Sequence, residues 1–289
     1  MKIILSPNPY RDRGLKTAQS ADRILREAGA ESRICLPFEL DGNSKIELPR
    51  KLDYGNTAEE IKSADLLICF GGDGTILHAA KMANTNHVPI LGVNMGSVGF
   101  MAELEHGELS LLSKVAAGEY TLEDRMMLDV CVSRNGRKLY EDIALNDVVI
   151  TKGSIARIIE LTVHGDGVLI SDFSGDGIII STPTGSTAYS MSAGGPIVEP
   201  TAENIVITPI CAHSMSAKSM VLDAKRVVSA KMGYMTRKTA YLSADGGKSF
   251  KLSGGDIVEV KRSRQVTRLV RVTGRSFYEA LNHKLGGKT

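Results

Sequence analysis

Apolar residues in the first 118 positions alternate between short unbroken runs and a helical spacing. "KIILS" reads as a strand, followed by "KTAQSADRILREAG", where Ala18, Ala21, Ile24, Leu25 and Ala28 recur on one helical face and Gly29 marks the stop. "SRICLP", "DLLICF" and "VPILGVN" are short, predominantly apolar stretches of the kind that form buried strands. Between them, "ILHAAKMAN" repeats the helical pattern with Thr75 as a candidate N-cap, and "ELSLLSKVAAG" predicts one more helix. Alternating strands and helices of this kind predict an α/β domain, a parallel sheet with flanking helices.

Beyond about Tyr120 the period changes. "MMLDVCVSRNGRKLYEDIALNDVVI" alternates around Asn135-Gly136, the strongest short hairpin signal. The same form returns around Gly165-Asp166-Gly167 and in "AYLSADGGKSFKLSGGDIVEV", so a β-rich domain is expected here. "SFYEALNHKLGG" closes the chain as a short helix, with Ser276 and Glu279 as a capping box and Gly286 as its stop. The expected division is 1–118 as the α/β domain, 119–264 as a β-rich substrate-binding domain, and 265–289 as a segment returning to the first domain. Gly-Asp-Gly occurs three times, at Gly72, Gly165 and Gly175, but with different flanks, so it is no true repeat.

Composition narrows the class only a little. With 289 residues, 43% hydrophobic and 24% charged, the chain has material for a sizeable core. Thirty-five basic and 33 acidic residues give no reason to expect a nucleic-acid or membrane partner. The basic run from Lys261 to Arg275 lacks interleaved aromatics and reads as a solvated strand face. No stretch approaches the roughly 20 apolar residues of a spanning helix, and the N-terminal apolar run is too short for a signal peptide. The four cysteines form no C-x-x-C, and Cys35 and Cys69 sit in apolar runs, which predicts buried, reduced thiols and a cytoplasmic protein. The histidines show no metal-ligand spacing; His213 reads as a packing or capping residue rather than a ligand contact.

Three stretches carry candidate chemistry. "FGGDGT" (Phe70 to Thr75) falls where a strand ends and a helix begins, the ligand-binding end of an open α/β sheet. Its glycines let an anion approach the helix N-terminus, while Asp73 would repel a phosphate placed beneath it. Asp73 therefore serves either to take a proton from an attacking hydroxyl or to hold a divalent ion; the plainer alternative is a turn cap. The usual ATP and dinucleotide loops are absent. "GGKS" puts Leu242, and the terminal "GGKT" puts Asn282, where a P-loop needs its first glycine, and "GVNMGSVGF" has the wrong spacing for a dinucleotide fingerprint. In the second stretch, "GDGIIISTPTGSTAYSMSAGGPIV", a strand runs into seven residues of Ser, Thr, Pro and Gly before a small-residue helix. Those hydroxyls suit a polyol or phosphate, and Tyr189 offers a face on which a base stacks. In the third, Asn146-Asp147 opens an apolar strand; an Asn amide reads an adenine edge and an Asp accepts from ribose hydroxyls, although such a pair is also common in turns.

Together, "GGDGT", Asn146-Asp147 and "STPTGSTAYSMSAGGPI" resemble the signature segments of the NAD kinases, in order, with "NMGSVGF", "PICAHSMS" and the terminal "HKLGG" as further matches. "GGDGT" alone is shared with diacylglycerol, sphingosine and phosphofructo-kinases, which lack the long segment. The resemblance implies an α/β domain, a β-sandwich domain, a substrate cleft between them, and transfer of the ATP γ-phosphoryl group to the adenosine-ribose 2′-hydroxyl of NAD with Mg²⁺ or Mn²⁺. It makes Asp73 the general base, with Gly72, Gly74 and Thr75 in the nucleotide loop. Phe100, Asn146, Asp147, Arg157 and Asp176 become nucleotide contacts, with Thr187, Ala188, Tyr189, Ser190, Met191 and Ser192; the metal ligands stay unassigned. It further implies a homotetramer or homodimer in which Arg157 and Asp176 reach a neighbour's site. The chain departs from the family pattern at Asp147, where many members carry Glu, at Gly247, where Gln is common, and at Ser174, where a basic residue is usual. The alternatives are a lipid or sugar kinase sharing "GGDGT", and a dinucleotide sensor without activity.

Overall fold

The computed structural model describes residues 1–37, 48–49, 52–96, 99–155, 157–214, 217–233 and 238–286. Ser97 and Val98 of "NMGSVGF", Met215 and Ser216 of "PICAHSMS", and the terminal residues from Gly287 lie outside the described residues. The chain divides into two compact units, Met1–Asp124 with Thr267–Thr289, and Arg125–Val266.

The first unit runs β1 (Lys2–Pro7), α1 (Lys16–Glu27), β2 (Glu31–Leu36), β3 (Gly55–Asn56), α2 (Thr57–Glu60), β4 (Leu66–Gly71), α3 (Asp73–Thr85), β5 (Ile90–Asn94), β6 (Leu104–Glu105) and α4 (Leu112–Ala116). Its strands pair in parallel in the order β5-β4-β1-β2-β3, with β6 and the returning segment at Leu269 also parallel to β5. All six residues of β4 are buried, as a central parallel strand covered on both faces requires. Ala18, Ala21 and Leu25 of α1 pack on Ile3, Leu5, Ile68 and Phe70, while α3 lays Ile76, Ala79, Ala80 and Ala83 on β4 and β5. Each fully buried Leu or Ile contributes about 1.5–3 kcal/mol, and these contacts fix the C-terminal ends of β4 and β5.

Two helix expectations need correction. Thr75 is not the N-cap of α3: extended Gly72 takes that place and the helix starts at Asp73. The helix expected over "ELSLLSKVAAG" is a 3₁₀ stretch, His106–Leu111, broken by the non-helical Glu108, and only Leu112–Ala116 is α-helical.

The second unit contains β7 (Thr121–Arg134, shared with the first), β8 (Arg137–Ala144), β9 (Asp147–Lys152), β10 (Ile159–Gly165), β11 (Val168–Gly175), β12 (Gly177–Ser181), α5 (Tyr189–Ser192), β13 (Asn204–Ile210), β14 (Met220–Asp223), β15 (Val228–Met232), β16 (Ala240–Ala244), β17 (Phe250–Leu252) and β18 (Ile257–Arg271, whose end belongs to the first). One antiparallel sheet has the order β14-β13-β12-β9-β16-β17. The other strands form a second antiparallel layer, β8-β7-β18-β15-β10-β11. Leu128, Val130, Val258 and Val260 from one layer meet Val148, Ile150, Ile178 and Ile180 from the other in a shared core, the expected sandwich. The Asn135-Gly136 and Asp166-Gly167 pairs have positive φ and join antiparallel strands, as their hairpin signals require. Lys261, Arg264 and Arg268 stand exposed on the alternating β18, a solvated strand face. The helix α6 (Phe277–Leu285) carries the expected Ser276–Glu279 capping box.

Candidate active site

In the first unit, β4 ends at Gly71 and α3 begins at Asp73, so Asp73 stands at the carboxyl edge of a central strand and in the first turn of a helix. The positive end of the helix dipole favours an anion there. Its carboxylate does not cap its own turn. Oδ2 accepts the backbone N–H of Phe100 at 2.9 Å and Oδ1 that of Met101 at 3.1 Å. These two bonds, from a segment 27 and 28 residues downstream, fix the side chain in one orientation. Each oxygen retains lone-pair capacity for a further proton donor. Gly99 completes the arrangement, since a Cβ at that position would overlap the Asp73 carboxylate. Gly74 beside it is exposed, and Thr75 is occupied, its N–H donating to the Gly72 carbonyl at 2.9 Å. Phe100 is largely buried, its ring 6.0 Å from that of Phe277 and beneath the Lys284 ammonium at 4.1 Å.

In the second unit, Asn146 and Asp147 occupy the join from β8 to β9, and both are buried. Asp245 holds this join: its carboxylate accepts the backbone N–H groups of Leu145 (2.7 Å), Asn146 (2.7 Å) and Asp147 (3.1 Å). The "STPTGST" segment is fastened to the same place. The Thr182 hydroxyl donates to the Leu145 carbonyl at 2.6 Å, and the Thr182 N–H donates to the Asn146 carbonyl at 2.9 Å. Gly185 lies against the Asn146 backbone, where a Cβ has no room. Burial pushes the Asp147 carboxyl up to about 7, and the nearby Asp245 charge adds to the shift. The side-chain oxygen of Asn146 and the hydroxyl of Ser181 are buried without a hydrogen-bond partner. Such groups are costly unless a ligand or water completes them.

The hydroxyl-rich segment corrects one expectation. Its hydroxyls mainly build the loop: Ser186 donates to the Pro183 carbonyl (2.7 Å), Thr187 to the Thr184 carbonyl (3.2 Å), and Ser190 pairs with Thr208 (2.8 Å). Thr187 and Ser190 are correspondingly buried, Ala188 and Met191 are half-buried, and Tyr189 and Ser192 are exposed. The short side chains serve dense internal bonding, and the Tyr189 ring beside them is exposed.

Asp176 is not brought to this cluster. Asp176 precedes β12 and forms an ion pair with Lys152 at 2.6 Å, whereas Thr182 follows the other end of β12. That five-residue strand is about 17 Å long at its usual rise. Arg157 is exposed on the loop after β9. His213 is also exposed, with its backbone N–H bonded to the Ser174 carbonyl at 2.7 Å. Among the described residues no group of three or more His, Cys, Asp or Glu side chains is arranged to hold a metal ion. Cys35 and Cys69 are free and buried, their thiols pushed up to about 11 and about 12 chiefly by burial. Asp245 and Gly99 are the site-building residues that motif reading passed over. The sequence around Asp245, Ala-Asp-Gly-Gly, signals a turn but not the distant backbone groups that its carboxylate holds.

Both halves of this geometry fall in segments shared with known proteins. The ATP-NAD kinase N-terminal domain matches residues 13–120, and the ATP-NAD kinase C-terminal domain matches residues 145–272. The chain belongs to the NAD kinase family. It is 36% identical over 286 residues to an NAD kinase of Acetivibrio thermocellus, covering 99% of this chain and 97% of that one. It is 46% identical over 224 residues to an NAD kinase of Symbiobacterium thermophilum, covering 77% and 79%. Its structure resembles the crystal structure of yeast NADH kinase complexed with NADH, with a TM-score of 0.85, 25% identity, and coverage of 100% of this chain and 88% of that chain. An NAD kinase from Archaeoglobus fulgidus, at 23% identity and a TM-score of 0.75 over both whole chains, shares the fold. No helix among the described residues is long and apolar enough to cross a membrane.

Proposed function

We propose that the chain transfers the γ-phosphoryl group of ATP to the adenosine-ribose 2′-hydroxyl of NAD, giving NADP and ADP. The observation that carries this reading is the Asp73 carboxylate, held by two backbone N–H groups at a strand-to-helix junction. A ribose hydroxyl is a weak nucleophile, and phosphoryl transfer depends mainly on positioning and charge stabilisation. Asp73 accepts the hydroxyl proton as the oxygen attacks phosphorus, and Gly72, Gly74 and Thr75 line the approach of the phosphates. Asn146 and Asp147 hold the adenosine end: the unpartnered Asn146 oxygen accepts an N–H or O–H donor, and Asp147 accepts ribose hydroxyls. Tyr189 supplies the stacking face.

A divalent ion, Mg²⁺ or Mn²⁺, brought with ATP would neutralise charge on its phosphates; among the described residues no group of three or more His, Cys, Asp or Glu side chains is arranged to hold one. The separation of Asp176 from Asn146 supports a homo-oligomer, a tetramer or dimer, in which Asp176 and Arg157 serve a neighbour's NAD site. The free thiols fit a reducing, cytoplasmic setting. A coupled assay for NADP formed from NAD and Mg·ATP tests the reading. Turnover of diacylglycerol or fructose 6-phosphate without turnover of NAD would overturn it, and NAD binding without any turnover would make the chain a sensor.

A further inference from the structure

The bonds around Asp245 are unusual in one respect: a single carboxylate gathers three consecutive backbone N–H groups, those of Leu145, Asn146 and Asp147. The tie is reciprocal, because the Asp245 N–H donates to the Asp147 carbonyl at 2.9 Å. Asp245 has a φ of 51° and Gly246 one of 66°, the positive-φ pair of the turn that joins β16 to β17, a conformation that Asp tolerates better than most side chains. The bonds span 98 to 100 residues of sequence, so they join elements that no local preference would bring together. What they orient includes an unmet group: the Asn146 side-chain oxygen is buried without a hydrogen-bond partner, and Asn146 is only 7% exposed.

We infer that Asp245 is a positioning residue for dinucleotide recognition: its carboxylate sets the 145–147 backbone so that the Asn146 amide and the Asp147 carboxyl are presented to NAD. The inference rests on the proposed NAD kinase reading for the identity of the ligand, and extends it to a residue that touches no substrate. Asp245 also acts on Asp147 through charge. The facing strand β12 offers Ser181 opposite Asp147, and Ser181 is uncharged. On β16 the neighbouring position is Ala244, beside Val148, and Asp245 follows it. Asp245 is thus the charged group that raises the Asp147 carboxyl, in addition to burial.

The test compares Asp245→Asn with the parent by calorimetric titration with NAD at a series of pH values, together with KM for NAD and for ATP. Asn keeps one acceptor oxygen for Asn146 and Asp147 but sets an NH₂ against the Leu145 N–H, and it removes the charge. NAD binding is expected to weaken about 10-fold or more, the loss of about one such bond, while KM for ATP stays within about twofold. In the parent, NAD affinity is expected to rise with pH through the Asp147 titration near 7, as the carboxylate forms. In Asp245→Asn that rise moves to lower pH. Asp245→Glu is the companion variant, with the charge kept and the carboxylate displaced by one methylene. It is expected to weaken NAD binding while leaving the rise near neutral pH, and it carries the test if Asp245→Asn does not fold. A folded variant of either kind with parental NAD affinity overturns the inference. So does equal weakening toward NAD and ATP with an unmoved pH profile, which marks a merely structural role. Binding does not require turnover: NAD binding without NADP formation in the parent defeats the kinase reading and leaves Asp245 to be judged on affinity alone.

Discussion

Replacing Asp147 by Asn should change how stability depends on pH, in a direction the structure dictates. Asp147 is 6% exposed, and its carboxyl is raised from 3.8 to about 7, first by burial and then by the Asp245 charge. A folded-state value above the unfolded one means that the folded chain holds a proton the unfolded chain has released. The stability this confers is fully present below about pH 4, declines as pH rises, and is lost once pH passes about 7. At about 1.4 kcal/mol per pH unit, a shift of about three units corresponds to roughly 4 kcal/mol across that window. Asn does not titrate, so the variant lacks this decline. Urea unfolding of parent and variant at pH 5 and pH 8 measures it, and the comparison across pH cancels whatever constant cost the amide brings. The stability difference, variant minus parent, should move in favour of Asp147→Asn by about 2–3 kcal/mol between those pH values. Parallel pH dependences in the two proteins would show that Asp147 does not titrate there, and would refute the burial argument.

Gly99→Ala places a methyl on the Asp73 carboxylate. With the base displaced by up to about 1 Å, kcat is expected to fall on the order of 10²-fold with little change in melting temperature, and parental kcat would show that Asp73 tolerates displacement. Asp176→Asn breaks an ion pair whose partly exposed partners contribute at most about 1 kcal/mol to stability, so a large rise in KM for NAD would point to ligand contact. If Asp176 serves a neighbour's site, mixing inactive Asp73→Asn and Asp176→Asn subunits should restore activity in hybrid oligomers; no restoration, or an active monomer by light scattering, excludes the shared site.

Much of the fold was legible because it rests on short-range patterns. The apolar stretches at Leu66–Gly71 and Ile90–Asn94 are too short for helices and read as strands of a covered sheet, and Asn135-Gly136 signals a tight hairpin through its positive φ. The placing of "GGDGT" at a strand-to-helix junction followed from the same periodicities. What escaped reading depends on distant partners or on competition within a turn. Nothing near Asp73 in sequence reveals that Phe100 and Met101 hold it, or near Asp245 that it gathers the 145–147 backbone. The hydroxyls of Ser181 to Thr187 were visible as residue types, but their direction was not. Short Ser and Thr side chains reach carbonyls three residues back as easily as a ligand, and here Ser186 and Thr187 do so. Thr75 looked like a cap because the residue type fits, yet the helix begins three residues earlier, after an extended Gly72.

The central claim is that Asp73 removes the ribose proton, and the kcat of Asp73→Asn with NAD and Mg·ATP tests it most directly. The amide keeps the size of the side chain and an oxygen for one of the two N–H groups, but it does not accept the proton. A positioned carboxylate base contributes roughly 10²- to 10⁴-fold. The account predicts a folded variant that binds NAD with nearly parental affinity by calorimetry and has a kcat at least ~100-fold lower. A folded Asp73→Asn protein with near-parental kcat would contradict it.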